Sequence, residues 1–567
     1  MAWLLVLPLV LAWLVARRLL GERDTLAAAS LVLPLGVTLT LLGVNGIYRV
    51  ADLPQAVLGT LAVLTLLAGL VAVLGQAPTL RRPGLHPATV TFLVLAGLAI
   101  YLYTNSQQIA NPDDDYWIHM PLQGLMLHGG FPPTNPFFSD VPMNGHYGRN
   151  LTLVTVAWLS GLDLPFVQVL MTDLCQLATF LLLFTTLRRQ TGSQLQAVLG
   201  TAFVFFGINV GGRGGLLDTV QNNNAVVHLG LVLNMHLILR TWGGGEPESG
   251  LAGRVWSAVL GGLVLGGYAI VYETHFGLVI LATLGTAAIL VASRLWARTG
   301  EVASRAPLDG RALLLTGLLL VLATPLAVTQ GGPLTELFQR KVLGRGEVDV
   351  AALSKGMLNQ AQFVKIQVPK ENLFQIRLEH GEYQRISFVY RTRTFLRRFY
   401  TPSPGRGYRP VWSWDVLKIH WLPLLAAPFS AWVLVRRGHA SGLYLGVFGV
   451  IAFLTPALVD FGPIYESEYF RWQFAAGLGL AGALGLASGA VFEDFWRSHP
   501  GRLGSWQADA RSDHGAAGAS SPGGRGPGRS GLAGDPDLLA LPVGTGGESE
   551  CPGAVAAGGV VPARDPL

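Results

Sequence analysis

Residues 55–75 read QAVLGTLAVLTLLAGLVAVLG, twenty-one positions without a charge, and Arg81 and Arg82 follow shortly after. The hydrocarbon core of a bilayer takes about 20 residues of α-helix to cross, so this run predicts a transmembrane helix with a basic loop behind it. Runs of the same kind recur on both sides, at approximately 3–20, 26–44, 55–75, 88–104, 162–187, 194–210, 223–240, 255–272, 276–293, 312–329, 419–435, 441–459 and 473–492. The expectation is therefore an all-α polytopic membrane protein with about thirteen transmembrane helices.

Composition agrees. The 567 residues are 51% hydrophobic and only 13% charged, with a mean hydropathy of +0.44, which excludes an ordinary soluble enzyme of this length. The formal net charge of +6 comes from basic residues beside hydrophobic runs or in one long loop. That pattern speaks for membrane orientation and lipid phosphate and against nucleic acid. Cys175 lies in an apolar run and Cys551 in a low-complexity tail, so neither a disulfide framework nor a thiolate metal site is expected. The first run ends in Arg17-Arg18 with no basic region before it and no small-residue cleavage site after it, and reads as a retained helix.

Arginines set the orientation. Arg17, Arg18 and Arg23 follow the first span, Arg81 and Arg82 the third, Arg188 and Arg189 the fifth; Arg240 and Arg254 flank the loop after the seventh. Arg294, Arg298, Arg305 and Arg311 follow the ninth, and Arg436 and Arg437 the eleventh. Every second loop is basic, and the positive-inside rule then places the N-terminus outside and the C-terminus in the cytoplasm. The resulting divisions are N-terminal transmembrane helices (1–104), a first large outer loop (105–161), central transmembrane helices (162–329), a basic outer loop (330–418), C-terminal transmembrane helices (419–493) and a disordered cytoplasmic tail (494–567). The change of composition near residue 501 is abrupt, and an out-of-frame continuation is the other reading of it.

The first outer loop holds the densest unusual chemistry: Asn111-Pro112-Asp113-Asp114-Asp115-Tyr116-Trp117-Ile118-His119, then Gly130-Phe131-Pro132-Pro133-Thr134-Asn135-Pro136, then Asn144-Gly145-His146-Tyr147. Three adjacent carboxylates raise one another's pKa unless a cation or hydrogen-bond donors compensate, which is what a general base or a metal site requires. Residues 118–128 fit a short helix along the membrane surface, with Pro121 tolerated in its first turn and the aspartates just before its positive end. The plain alternative is that they cap that helix and are solvated. His119, His146 and Tyr147 are each open between a substrate-binding and a structural role.

Many hydrophobic spans, an acidic group in the first large outer loop, a surface helix and a Gly-Phe-Pro-Pro turn together resemble the glycosyltransferase C superfamily. The segment through Pro142-Met143-Asn144-Gly145-His146-Tyr147 further resembles an uncharacterised bacterial and archaeal branch of it. The resemblance covers at most residues 88 to 493 and is sharp over about forty; unlike the commonest pattern, three extra helices precede the acidic loop. It implies an enzyme of the cell membrane that takes a sugar from a polyprenyl-phosphate or polyprenyl-diphosphate carrier on the outer face.

Further candidates lie elsewhere. Glu273, in Tyr272-Glu273-Thr274-His275, stands at the edge of hydrocarbon, where a carboxylate is costly without a partner or a task; a solvated turn residue is the other reading. His228, Asn234 and His236 in the seventh span suit interhelical hydrogen bonding. Loop 330–418 has fifteen basic and seven acidic residues, with Arg391, Arg393, Arg397 and Arg398 the densest group, fit for a carrier phosphate or for anionic headgroups. Arg471 stands at the outer interface. On the leading reading one of Asp113, Asp114 or Asp115 is general base, Glu273 is a second catalytic carboxylate, and the arginines stabilise the departing phosphate. A divalent cation, Mg or Mn, bridging Asp113 and Asp115 is compatible but not demanded by any ligand spacing. A transporter or flippase of lipid-linked precursors, and a non-catalytic membrane subunit, are the alternatives. Oligomeric state, sugar and acceptor are not legible.

Overall fold

In the computed structural model the described residues are 2–73, 77–110, 119–135, 138–142, 146–207, 215–219, 224–243, 250–296, 308–343, 414–458 and 469–498. They form sixteen α-helices: α1 (Val6–Leu14), α2 (Thr25–Ile47), α3 (Leu53–Val73), α4 (Pro87–Ala110), α5 (Met120–Leu127), α6 (Gly148–Ser160), α7 (Leu164–Thr191), α8 (Gln194–Phe206), α9 (Asn224–Thr241), α10 (Leu251–Val271), α11 (Glu273–Trp296), α12 (Gly310–Thr329), α13 (Pro333–Lys341), α14 (Trp414–Arg437), α15 (Ala440–Leu458) and α16 (Tyr469–Ser498). Shorter helical turns, Ala2–Leu5 and Val15–Leu19, extend α1 at both ends. A 3-10 turn, Leu216–Thr219, and a two-stranded antiparallel ribbon, β1 (Thr134–Asn135) with β2 (Phe138–Pro142), complete the described elements.

Helix starts follow local chemistry. The Asp24 carboxylate accepts from the Leu26 and Ala27 amides at 2.8 and 3.1 Å and begins α2; Ser193 Oγ accepts from Gln196 N at 3.1 Å and begins α8; Asp309 accepts from Ala312 N at 2.6 Å and begins α12. Each satisfies amides that have no partner inside the helix.

Among the described residues, nine helical segments are long and apolar enough to cross a bilayer. Their outer faces expose large apolar side chains along whole helices, as in Val63, Leu66 and Leu70 of α3 and Val94, Leu95 and Leu98 of α4. Leaving such side chains in water would forgo about 1.5–3 kcal/mol each, so the surrounding medium is lipid. The architecture is that of a multi-pass membrane protein.

Every one of the thirteen apolar runs holds a helix, and two of these helices depart from a plain span. The helix α8 has only thirteen residues, and α9 is not among the nine. α9 is the centre of the bundle: all eighteen residues are buried, packed between α7 and α10, and they include His228, Asn234, His236 and Arg240. Two helices were not anticipated, α6 and, at the start of the stretch read as the basic outer loop, α13. α6, inside the stretch read as an outer loop, buries Leu151, Leu153, Val154 and Leu159, and its apolar run is too short to register as a span.

The basic loops meet at one end of the bundle. Glu22, 2% exposed, accepts from Arg189 at 2.6 Å and from Arg240; Arg188 reaches Asp24 at 2.5 Å, and Arg254 reaches Asp309 at 3.1 Å. Nearby, Glu493 takes Ser193 and Gln196, and Asp494 takes Arg437. The opposite end gathers the C-termini of α2, α10 and α12 with the N-termini of α5, α6, α9 and α11, and there the candidate site lies.

Candidate functional site

Five consecutive residues, His146-Tyr147-Gly148-Arg149-Asn150, open α6, and each of the four with a side chain reaches a different part of the bundle. The chain can pass this close because residue 148 is glycine: a Cβ there would strike the Ile270 carbonyl of α10 at 2.9 Å.

His146 faces Glu273. Its Nδ1 lies 3.2 and 3.5 Å from the two carboxylate oxygens, and both residues are buried, 6% and 8% exposed. Glu273 is the first residue of α11, where the helix N-terminus favours negative charge. The break that puts it there is Tyr272, whose extended backbone (φ −163°, ψ 96°) separates α10 from α11. The Tyr272 ring packs on His146 at 4.7 Å and on His275 at 4.4 Å. Tyr268 Oη donates to the Val227 carbonyl at 3.0 Å, so at 3.4 Å it can only accept from His275 Nδ1, which fixes that tautomer.

Tyr147 turns to α2. Its hydroxyl donates to Asn45 Oδ1 at 3.0 Å and accepts from Arg49 at 3.3 Å, while Asn45 Nδ2 donates to the Gln330 carbonyl at 3.0 Å. Burial pushes the Tyr147 phenol up, against the opposing Arg49 charge, and keeps it a hydrogen-bond donor at physiological pH. Phe131 of the Gly-Phe-Pro-Pro turn is stacked on Tyr48 at 4.3 Å and set edge-on to Tyr147 at 5.6 Å, so that turn is docked on the same group.

Arg149, 1% exposed, donates to Asn224 Oδ1 at 3.1 Å and to His119 Nε2 at 2.9 Å. Arginine has no acceptor, so Nε2 bears the lone pair and the neutral ring carries its proton on Nδ1. That proton needs an acceptor 3.2 Å away on the Asn150 carboxamide, which must turn its oxygen to the ring. Asn150 Nδ2 then faces Gln123 across 3.1 Å, and Gln123 must turn its carboxamide as well so that its oxygen accepts there. The result is a relay of one polarity: Arg149 to His119 to Asn150 to Gln123.

The structure thus joins His146 to Glu273, and ties His119 and Tyr147 to the same α6 segment through separate networks. Asp113, Asp114, Asp115, Arg391, Arg393, Arg397 and Arg398 lie outside the described residues. Arg471 stands in the first turn of α16, its side chain outside the described set. Among the described residues no group of three or more His, Cys, Asp or Glu is arranged to hold a metal ion.

No family model matches this chain, and no curated protein matches it. Among solved structures, two match. The likeness is to an archaeal oligosaccharyltransferase. One match is AglB of Archaeoglobus fulgidus in complex with an inhibitory peptide and a dolichol-phosphate, and the other is the oligosaccharyltransferase of the same organism in the apo form. Identity is 15% and the TM-score 0.39 for both; the matches cover 74% and 72% of this chain and 52% and 51% of those chains. This chain therefore spans about half the length of the chains it matches.

Sequence reasoning missed Arg149, Asn150, Asn45, Gln123 and Gln330. Arg149 carried a usable signal, since an arginine opening the apolar stretch 151–159 is costly to bury unless it is paired. The amides carried none, because their partners are distant in sequence.

Proposed function

We propose that this protein is a membrane glycosyltransferase that moves a sugar from a polyprenyl-phosphate-type lipid donor to an acceptor hydroxyl at the outer face of the cell membrane. The observation that carries the reading is the buried His146–Glu273 pair, placed beside the Arg149 relay at one end of an apolar helix bundle. Buried acid–base groups at the rim of a bilayer are expensive, and a task there accounts for them.

In this reading a carboxylate among Asp113, Asp114 and Asp115 takes the acceptor hydroxyl proton as its oxygen attacks the anomeric carbon. The bond from that carbon to the carrier phosphate breaks, and the phosphate leaves with the electron pair, stabilised by Arg471 or by Arg391, Arg393, Arg397 and Arg398. Glu273 is a second carboxylate at the reacting centre, and His146, His119 and Tyr147 orient the substrate. A divalent cation, Mg or Mn, would be held by Asp113 and Asp115. The finer topology belongs to the same reading: thirteen spans, the N-terminus outside, and loops 105–161 and 330–418 on the reacting side.

The test is sugar transfer from labelled polyprenyl-phosphate sugars by membranes carrying single Asp113→Asn, Asp114→Asn and Asp115→Asn variants. Loss in at least one, with normal protein amounts, is expected; full activity in all three overturns the reading. One observation favours a second reading, export of a lipid-linked precursor: His228 and His236 lie inside the bundle on the fully buried α9, hydrogen-bonded to Gln176 and Thr186 of α7 at 3.0 and 2.8 Å. That reading predicts movement of the lipid across vesicles without chemical turnover.

A further inference from the structure

The helix α13 follows the membrane-crossing α12 after only three residues, Gln330, Gly331 and Gly332. Both glycines are left-handed, with φ of 96° and 76°, and a Cβ at Gly331 would overlap the Arg49 guanidinium and crowd the Tyr147 hydroxyl. The chain therefore leaves α12 in a fixed turn against the rim of the candidate site. Thr335 Oγ1 accepts from Gly331 N at 2.7 Å and ties the first turn of α13 to that bend.

The sequence of α13, PLTELFQRK, is amphipathic. Leu334, Leu337 and Phe338 recur at the three- and four-residue spacing of one helix face, and Glu336, Gln339 and Arg340 occupy the other. The apolar face is only partly covered: Leu337 is 54% exposed, and Val342 and Leu343 just beyond the helix are 66% and 48% exposed. The helix α12 that leads into it also exposes large apolar side chains, Leu314 at 77% and Val321 at 67%. The helix ends in Arg340 and Lys341, cations suited to the phosphate level of a bilayer.

We infer that α13 is a membrane-surface helix, with Leu334 packed against the bundle and Leu337 and Phe338 immersed among lipid chains at the headgroup boundary. Its partner is the lipid bilayer. An amphipathic helix of this kind lies in the plane of the interface rather than across it. It would set the depth of the turn at Gly331 and Gly332, and with it the depth of the Tyr147 group, at the level of lipid headgroups. The inference concerns membrane contact alone and does not depend on sugar transfer.

The test uses the full chain with Cys551→Ser and Cys175, which is fully buried, left in place. Leu337→Cys and Gln339→Cys are separately labelled with a nitroxide and reconstituted into phosphatidylcholine–phosphatidylglycerol vesicles. Collisions with oxygen, which concentrates in lipid, are compared with collisions with a water-soluble nickel chelate. The expected result is opposite preference: oxygen at 337 and nickel at 339. Equal nickel access at both positions would place the helix in water and overturn the inference. Access by neither reagent at 337 would mean that protein covers the face, a second copy or another part of this chain, and would overturn it equally. Val342→Cys gives the same reading should Leu337→Cys fail to fold.

Discussion

Glu273 is the carboxylate whose surroundings are best defined: buried, at a helix start, and within hydrogen-bonding distance of His146. Glu273→Gln keeps its shape and removes its charge. If it works at the reacting centre, transfer falls about 10²–10⁴-fold, measured as turnover with saturating lipid donor, while thermal unfolding in detergent stays close to wild type. A large loss of stability with turnover unchanged would instead make it structural. A different histidine reports on pH. His439, in the turn between α14 and α15, has its pKa pushed down to about 4 by burial and by the charge of Arg437. The folded protein binds this proton more weakly than the unfolded chain, so the contribution is full above pH ~6.5 and is lost as pH falls toward 4, at most about 3 kcal/mol. Thermal unfolding followed from pH 7 to 4.5 should show that loss, and His439→Gln should flatten it. At this scale the sequence was half legible. Charged and aromatic residues in unusual places, such as Glu273 and His146, announced themselves, whereas the amides of Asn45 and Asn150 act only through partners that folding supplies.

Helices were more legible than side chains, because about 20 apolar residues in a row permit few other structures in lipid. The exceptions have physical causes. α6 is too short to cross, and its role is to bring residues 146–150 against α2, α5, α9 and α11; no local pattern distinguishes such a helix from a loop. How tightly the spans pack was hidden as well. α15 and α16 approach so closely that a Cβ at Gly479 would overlap the Gly449 backbone and the Leu445 carbonyl. This is small-residue packing, which lets dispersion act between backbones where lipid removes the hydrophobic incentive. Gly479→Ala should destabilise by about 1–3 kcal/mol, read as a lowered unfolding temperature in detergent. Gly317→Ala, where a Cβ would meet nothing within 4 Å, is the matched control and should be neutral or mildly stabilising. Equal effects at the two sites would contradict the close approach.

Across the whole molecule, the basic loops of α1–α2, α7–α8, α9–α10 and α14–α15 meet at one end, and the His146 and Arg149 groups lie at the other. On the proposed topology, drawn from the positive-inside rule, the basic end is the cytoplasmic one. With single cysteines in intact cells, an impermeant maleimide should label Asp52→Cys and Leu343→Cys directly, and Arg82→Cys and Ser498→Cys only after permeabilisation. The reverse pattern would invert the orientation, and a mixture within either pair would break the two-ended arrangement. The central helix bears on how this molecule is built. α9 keeps its eighteen residues from lipid only because its neighbours surround it, yet the ribosome delivers helices one at a time. Polar side chains in the middle of a spanning helix are expensive in lipid, so His228, Asn234 and His236 make α9 a poor candidate for entering the bilayer alone. Glycosylation mapping of α9 in a host protein, with and without α7 and α10, should show partition into the membrane only in their company. Biogenesis would then contain a waiting step, with α9 held beside the translocon until the helices that shelter it have been made.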